Sequence, residues 1–278
     1  MSRIIQISDS HILPHGRLAY GLVDTAAGLA RAVKHIGSVL PEIGPVDSVI
    51  VTGDLVDLGS ANEYARFREI MSELPLPWLA VPGNHDSREA MRLAYADQEW
   101  MAAIGPICWS RDLPDFRIVG LDRSVAGMPH GELDEQALAF LDEALATAWG
   151  RPVLIGLHHP PFQTGILPMD VQPLRRPEEL ITRAKAHNGE VRIVCGHVHR
   201  SVARLVDGLF CQIAPAPSHA VSLDFRDANP NSFAREPGAV MLHEWRNGGF
   251  VSHFLQIADK QERHPFNIDL SLREIEAH

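Results

Sequence analysis

Residues 191–200 read VRIVCGHVHR, a short β-branched and aliphatic run that ends at Gly196 and delivers His197 and His199 at alternate positions. A run of that length and composition predicts a buried strand. Alternate side chains on extended backbone share a side, so the pair suits a decorated turn as well as an ion site. The rest of the chain repeats the arrangement. RIIQIS (3–8) runs into Asp9, Ser10 and His11, and SVIVT (48–52) into Gly53 and Asp54. WLAV (78–81) leads to Gly83, Asn84, His85 and Asp86, and VLIGL (153–157) to His158 and His159. RIVGL (117–121) predicts one more strand.

Between these runs, apolar residues recur at helical spacing over about 25–40, 61–74, 134–148 and 178–187. Ser60 with Glu63 has the spacing of a capping box. Strand–helix alternation of this kind predicts an α/β protein, and ligands of open α/β sheets bind outside the carboxyl ends of strands. Any single position has a local explanation, since Asp caps helices and Asn after Gly turns the chain. Five strand ends converging on one edge of one inferred sheet, with a preference for histidine, do not. After Val202 the pattern changes to hairpins around Asp207-Gly208 and Asn247-Gly248, expected to add antiparallel strands. Gln163–Arg176 is proline-rich and reads as a surface loop, and Ser218–Gly238 as a long polar excursion. Loops of that length in a compact domain are functional or disordered. The expected organisation is one catalytic domain over 1–258, with 218–238 as a cap or interface element, and a peripheral tail over 259–278.

A chain of 278 residues with net charge −10 has length for a sizeable core but not the basic footprint of an extended nucleic-acid binder. A small phosphate substrate stays open if the site brings its own cations. Cys108, Cys195 and Cys211 form no C-x-x-C pair, which argues against a thiolate zinc framework or a disulfide scaffold. The chain reaches Asp9 before any signal-peptide-length apolar run, and no stretch approaches the ~18 apolar residues of a membrane span. A cytoplasmic protein without a membrane partner is expected.

In order, the chain carries D-x-H (Asp9, His11), G-D (Asp54), G-N-H-D (Asn84, His85, Asp86), a histidine before Pro-Pro (His158) and G-H-x-H (His197, His199). This set resembles the calcineurin-like metallophosphoesterases over about residues 2–213. Within them it is similar to bacterial class III cyclic-nucleotide phosphodiesterases and glycerophosphodiesterases, a likeness that GMPHGELDEQALAFLDEAL (127–145) shares. The resemblance implies an α/β sandwich of two mixed β-sheets flanked by helices, with antiparallel strands and a cap-like excursion in the C-terminal third. It also implies two metal ions: Asp9, His11 and His199 on the first, Asn84, His158 and His197 on the second, and Asp54 bridging. Nitrogen and oxygen donors without thiolate suit Mn, Fe, Co or Zn. Two such ions outweigh two aspartates and a hydroxide, so the site attracts a phosphodiester despite the acidic chain.

The implied reaction is hydrolysis of a small phosphodiester, a cyclic nucleotide such as cyclic AMP or a glycerophosphodiester, by in-line attack of a metal-bridging hydroxide. His85 is implied to stabilise the transition state or protonate the leaving oxygen. Asp86 is expected to orient His85 or to cap a helix. His219 is implied to lie near metals or substrate. Arg123 is expected to grip phosphate or to form a surface salt bridge, and His159 to pack or support. A phosphomonoesterase is the alternative; a processive nuclease is disfavoured by charge, and a binding scaffold by the presence of all seven ligands and His85. Ser8 and Ser10 lack the G-x-S-x-G context of a serine hydrolase. Relatives implied by the resemblance are dimers or larger, so a homo-oligomer is expected.

Overall fold

A computed structural model describes residues 1–228 and 230–258. The chain begins β1 (Arg3–Ile7), α1 (Thr25–Ile43), β2 (Ser48–Thr52), α2 (Ala61–Met71), β3 (Trp78–Val81) and α3 (Arg88–Ala94). It continues with β4 (Trp109–Asp112), β5 (Arg117–Gly120), β6 (Gly131–Glu132), α4 (Glu135–Ala146), β7 (Val153–Gly156), α5 (Leu167–Asp170), β8 (Leu174–Arg175) and α6 (Pro177–Ala186). It ends with β9 (Val191–Cys195), β10 (Val202–Val206), β11 (Leu209–Ile213), β12 (Ala220–Val221), β13 (Phe233–Ala234), β14 (Ala239–Arg246) and β15 (Gly249–Gln256).

These elements build two mixed sheets flanked by helices, in the orders β15-β14-β1-β2-β3 and β10-β11-β9-β7-β5-β4. The expectation of one sheet edge is therefore corrected: β1, β2 and β3 belong to one sheet, β7 and β9 to the other. Parallel strands covered on both faces all read as the same apolar run, so the sequence pattern does not record which strand pairs with which. The C-terminal strands divide likewise. The hairpin β14–β15 joins β1 antiparallel, and the hairpin β10–β11 joins β9.

One buried cluster gathers Ile4, Val49, Val51 and Leu79 with Ile36 of α1 and Phe67 of α2; a second joins Val119, Ile155 and Ile193 to Leu141 of α4 and Leu180 of α6. The first cluster also takes in Ile118, Leu154 and Val194 from the other sheet, so the sheets share a core. A polar stitch crosses the same seam. Gln6 Nε2 donates to Thr52 Oγ1 and to the Cys195 carbonyl, each at 2.9 Å. Its Oε1 accepts from His243 Nε2 at 3.0 Å.

The surface loop expected over 163–176 contains α5 and β8, the latter paired with β6. The 218–238 excursion is pinned by β12 pairing antiparallel with β13. The tail expected from 259 lies outside the described residues. Among those described, no helix is long and apolar enough to cross a membrane.

Candidate metal centre

The carboxyl ends of β1, β2, β3, β7 and β9 come together where the two sheets meet. Asp9 N donates to Gly53 O (3.1 Å), His11 N to Asp54 O (3.0 Å) and Gly196 N to His158 O (2.9 Å), locking neighbouring strand ends in register. The turns are tight. Asp9, His11, Asp54, His197 and His199 all have positive φ, from 43° to 75°. Non-glycine residues pay for that left-handed conformation, and such strain clusters at functional sites. Two glycines make the approach possible. A Cβ on Gly83 would overlap the Asp54 carboxylate, and one on Gly196 would overlap the Ser8 hydroxyl.

The side chains form overlapping groups. Among the described residues, Asp9–His11–His199, Asp9–Asp54–His158, His158–His159–His197 and His11–Asp57–His85 each place three donor atoms within 4.8 Å of one another. His11 Nε2 and His199 Nε2 face each other at 3.1 Å. Asp54 Oδ2 lies between the two sides, 3.5 Å from His11 Nε2 and 3.2 Å from His158 Nε2. Asp9 Oδ1 is 3.5 Å from His199 Nε2 and 3.8 Å from His158 Nε2. Backbone amides hold both carboxylates: His197 N donates to Asp9 Oδ1 at 2.9 Å and Oδ2 at 3.1 Å, and His85 N donates to the other oxygen of Asp54, Oδ1, at 2.9 Å.

Hydrogen bonds fix which imidazole nitrogen is bare. His158 Nδ1 donates to Thr52 O at 2.8 Å, and His11 Nδ1 faces Asp57 Oδ1 at 3.1 Å. Both Nε2 lone pairs are thereby left for the centre, the orientation that outer partners impose on metal-binding histidines. His158 Nε2, His197 Nε2 and Asn84 Oδ1 are buried and meet no hydrogen-bond partner among the described residues. Buried lone pairs without a donor are costly, and a cation satisfies them. The residues present fit a pair of metal ions.

Protonation follows from burial and charge. Burial holds His197 and His199 well below the ordinary histidine range, as neutral donors. For His11, burial pulls downward but the Asp57 hydrogen bond with Asp54 and Asp9 prevails, raising it to about 9, so a cation binding at its Nε2 would displace a proton from that atom. Burial raises Asp9, and the Asp54 charge adds to it. Burial works the same way on Asp54, yet His158, His85 and His11 together hold it well below the usual carboxylate range.

The remaining sequence-selected residues are distributed around this centre. His85 is half-exposed and packs edge-on against His11 at 4.6 Å. Its Nδ1 donates to Asp57 O at 2.7 Å, so Asp57 holds His85. This corrects the expectation that Asp86 orients it. The Asp86 carboxylate is spent elsewhere, accepting from Leu55 N (3.1 Å), Gly83 N (2.8 Å) and Tyr64 Oη (3.0 Å). Its expected capping role is also corrected, because the cap of α3 is Ser87. His219 is buried with Nε2 3.2 Å from His199 Nδ1, edge-on to Tyr20. Arg123 is fully buried and donates to Pro82 O, which overturns the surface salt bridge. His159 stacks on His197 at 4.0 Å and donates to Pro129 O. Asp57, which touches both His11 and His85, was missed; its only trace in sequence is its place three residues after Asp54.

The profile of the family described as calcineurin-like phosphoesterase matches residues 2–201. A probable glycerophosphodiester phosphodiesterase of Arcobacter nitrofigilis is 35% identical over 267 residues, covering 95% of this chain and 96% of that protein. A 3',5'-cyclic adenosine monophosphate phosphodiesterase of Escherichia coli strain K12 is 32% identical over 257 residues, covering 92% and 90%. Among solved structures, a dimetal phosphatase from Danio rerio superimposes with a TM-score of 0.59 at 17% identity, over 92% of this chain and 99% of that one.

Proposed function

The chain belongs to the calcineurin-like phosphoesterase family and is a metal-dependent phosphoesterase; from that premise we propose that it hydrolyses small phosphodiesters, of the cyclic-nucleotide or glycerophosphodiester class. The observation that carries the reading is the position of Asp54 Oδ2, 3.2 Å from the bare nitrogen of His158 on one sheet and 3.5 Å from that of His11 on the other. A carboxylate so placed is a bridge between two cation sites. The glycerophosphodiesterase and cyclic-AMP phosphodiesterase relatives, at 35% and 32% identity, favour diester substrates.

In this reading Asp9, His11 and His199 would hold one ion, Asn84, His158 and His197 would hold the other, and Asp54 would be shared between them. Mn, Fe, Co or Zn suit these donors. Such ions, when bound, supply Lewis acidity that activates water and neutralises phosphate charge. The chain supplies the rest. Thr52 O and Asp57 fix the tautomers of His158 and His11. Asp57 O accepts the hydrogen bond from His85 Nδ1, which leaves Nε2 for the substrate side, where it would pass a proton to the leaving oxygen. Residues 1–258 act as one catalytic unit, in a cytoplasmic homo-oligomer.

The test strips the protein with chelator, restores Mn, Co, Zn or Fe singly, and assays four esters: bis-p-nitrophenyl phosphate, p-nitrophenyl phosphate, cyclic AMP and glycerophosphocholine. Metal-restored diester turnover faster than monoester turnover is expected. Faster monoester turnover would overturn the diesterase reading.

A further inference from the structure

Arg123 heads the fully buried side chains by volume. It follows β5, and its Nη2 donates to Pro82 O at 3.3 Å, two residues ahead of Asn84. Nε and Nη1 are buried and find no acceptor among the described residues. Its side chain packs against Gly131 together with the His159 ring, and that ring stacks on His197 at 4.0 Å. A guanidinium keeps its proton in proteins, so a permanent positive charge sits behind the turn that leads to Asn84 and acts on His159 and His197.

Among the described residues no carboxylate forms an ion pair with it; Asp122, Asp54 and Asp86 act on it only from a distance. Asp122 is engaged by Arg88 at 2.5 Å and by Ile107 N at 2.8 Å. Asp86 already accepts three hydrogen bonds, and Asp54 faces the centre. The two candidate cation sites are therefore unequal. The Asp9–His11–His199 group has a carboxylate of its own besides the shared Asp54. The Asn84–His158–His197 group shares Asp54 and meets Asp9 only at longer range, 3.8 Å from His158 Nε2, with a buried cation alongside. In a buried setting, neither water nor salt screens that repulsion well.

We propose that Arg123 is a positioning residue of the Asn84–His158–His197 site, whose fixed charge weakens cation binding there and makes the two sites fill in order. The inference rests on the metal-pair reading above.

The test is a titration of the metal-free full chain with Mn(II), following free Mn(II) by electron paramagnetic resonance. Wild type shows a tight and a weaker class. Arg123→Met tightens the weaker class about tenfold or more and leaves the tight class unchanged; Arg123→Gln shifts it in the same direction. A packing defect would weaken binding, so the sign separates charge from structure. No change, or weakening of either class, overturns the inference. Should both variants fail to fold, Arg123→Lys keeps the charge and is expected to show both classes as in wild type; tightening of the weaker class in Arg123→Lys overturns the inference. One ion or none per wild-type chain would fail the metal-pair reading itself, whereas two ions indifferent to Arg123 would fail only this inference.

Discussion

Asp57 Oδ1 lies 3.1 Å from Nδ1 of His11, and the carbonyl of the same residue takes the 2.7 Å hydrogen bond from His85. One residue thus orients a candidate ligand with its side chain and a candidate proton donor with its backbone. Outer partners of metal-bound histidines are typically worth about 10–100-fold in affinity or activity. Asp57→Ala is expected to lower affinity at the Asp9–His11–His199 site by that factor, read by Mn(II) titration. Its fold should persist by circular dichroism, because Asp57 is partly exposed. Wild-type affinity in the variant would remove Asp57 from the site.

His85 packs against His11 without joining the buried lone pairs of the centre. His85→Ala is expected to cut kcat about 10²- to 10⁴-fold, the range of a lost general acid, with both ions retained by elemental analysis. Loss of a metal together with activity would make His85 a ligand and invalidate the division of roles.

What was legible in sequence follows from burial. The strands β1, β2, β3, β5, β7 and β9 read correctly within one residue at each end, because strands covered on both faces are uninterrupted apolar runs. β4 did not: WSRD at a sheet edge alternates too little apolar surface to stand out from a loop. Nor did α3, seven residues with Met91 alone buried. The histidines and aspartates of the centre were visible because they cluster just beyond strand ends, Asp54 and His197 directly after glycine. Asp57 was not, and Arg123 was singled out without its buried position, since what each touches depends on how two sheets meet, and pairing between sheets leaves no period in the chain.

Gly196 sits where β9 turns into the two histidines. A methyl group there would meet the Ser8 hydroxyl, the Asp9 carboxylate and the Thr52 carbonyl at once. Two of those atoms are backbone or site, so little can yield. Gly196→Ala is expected to cost about 1–3 kcal/mol, the range for overpacking. At roughly 2–4 °C per kcal/mol for a protein of this size, the melting temperature should fall by several degrees. Metal content should fall with it. A variant with wild-type melting and full metal would mean that the strand end has room the structure does not show.

His243 carries the prediction for pH. It is buried on β14, 3.0 Å from Gln6 Oε1 and 2.8 Å from Ser252 Oγ. Burial, helped by the nearby Arg192 and His253 charges, lowers it to about 3. The unfolded chain takes up that proton near pH ~6.5, well before the folded one does. Above ~6.5 both states are neutral at this position and the group adds no pH dependence. Below it the unfolded state binds more protons, so stability falls as pH drops toward 3, by up to about 1.4 kcal/mol per unit for this group alone. Other groups titrate in the same window, so the measurement is a difference. Urea midpoints of wild type and His243→Gln are compared at pH 7 and pH 5. The variant is expected to be less stable at pH 7 but to lose less on acidification. If both lost stability in parallel, His243 would not be held neutral by the seam between the sheets, and the Gln6–His243 hydrogen bond would have to be redrawn with a charged imidazole.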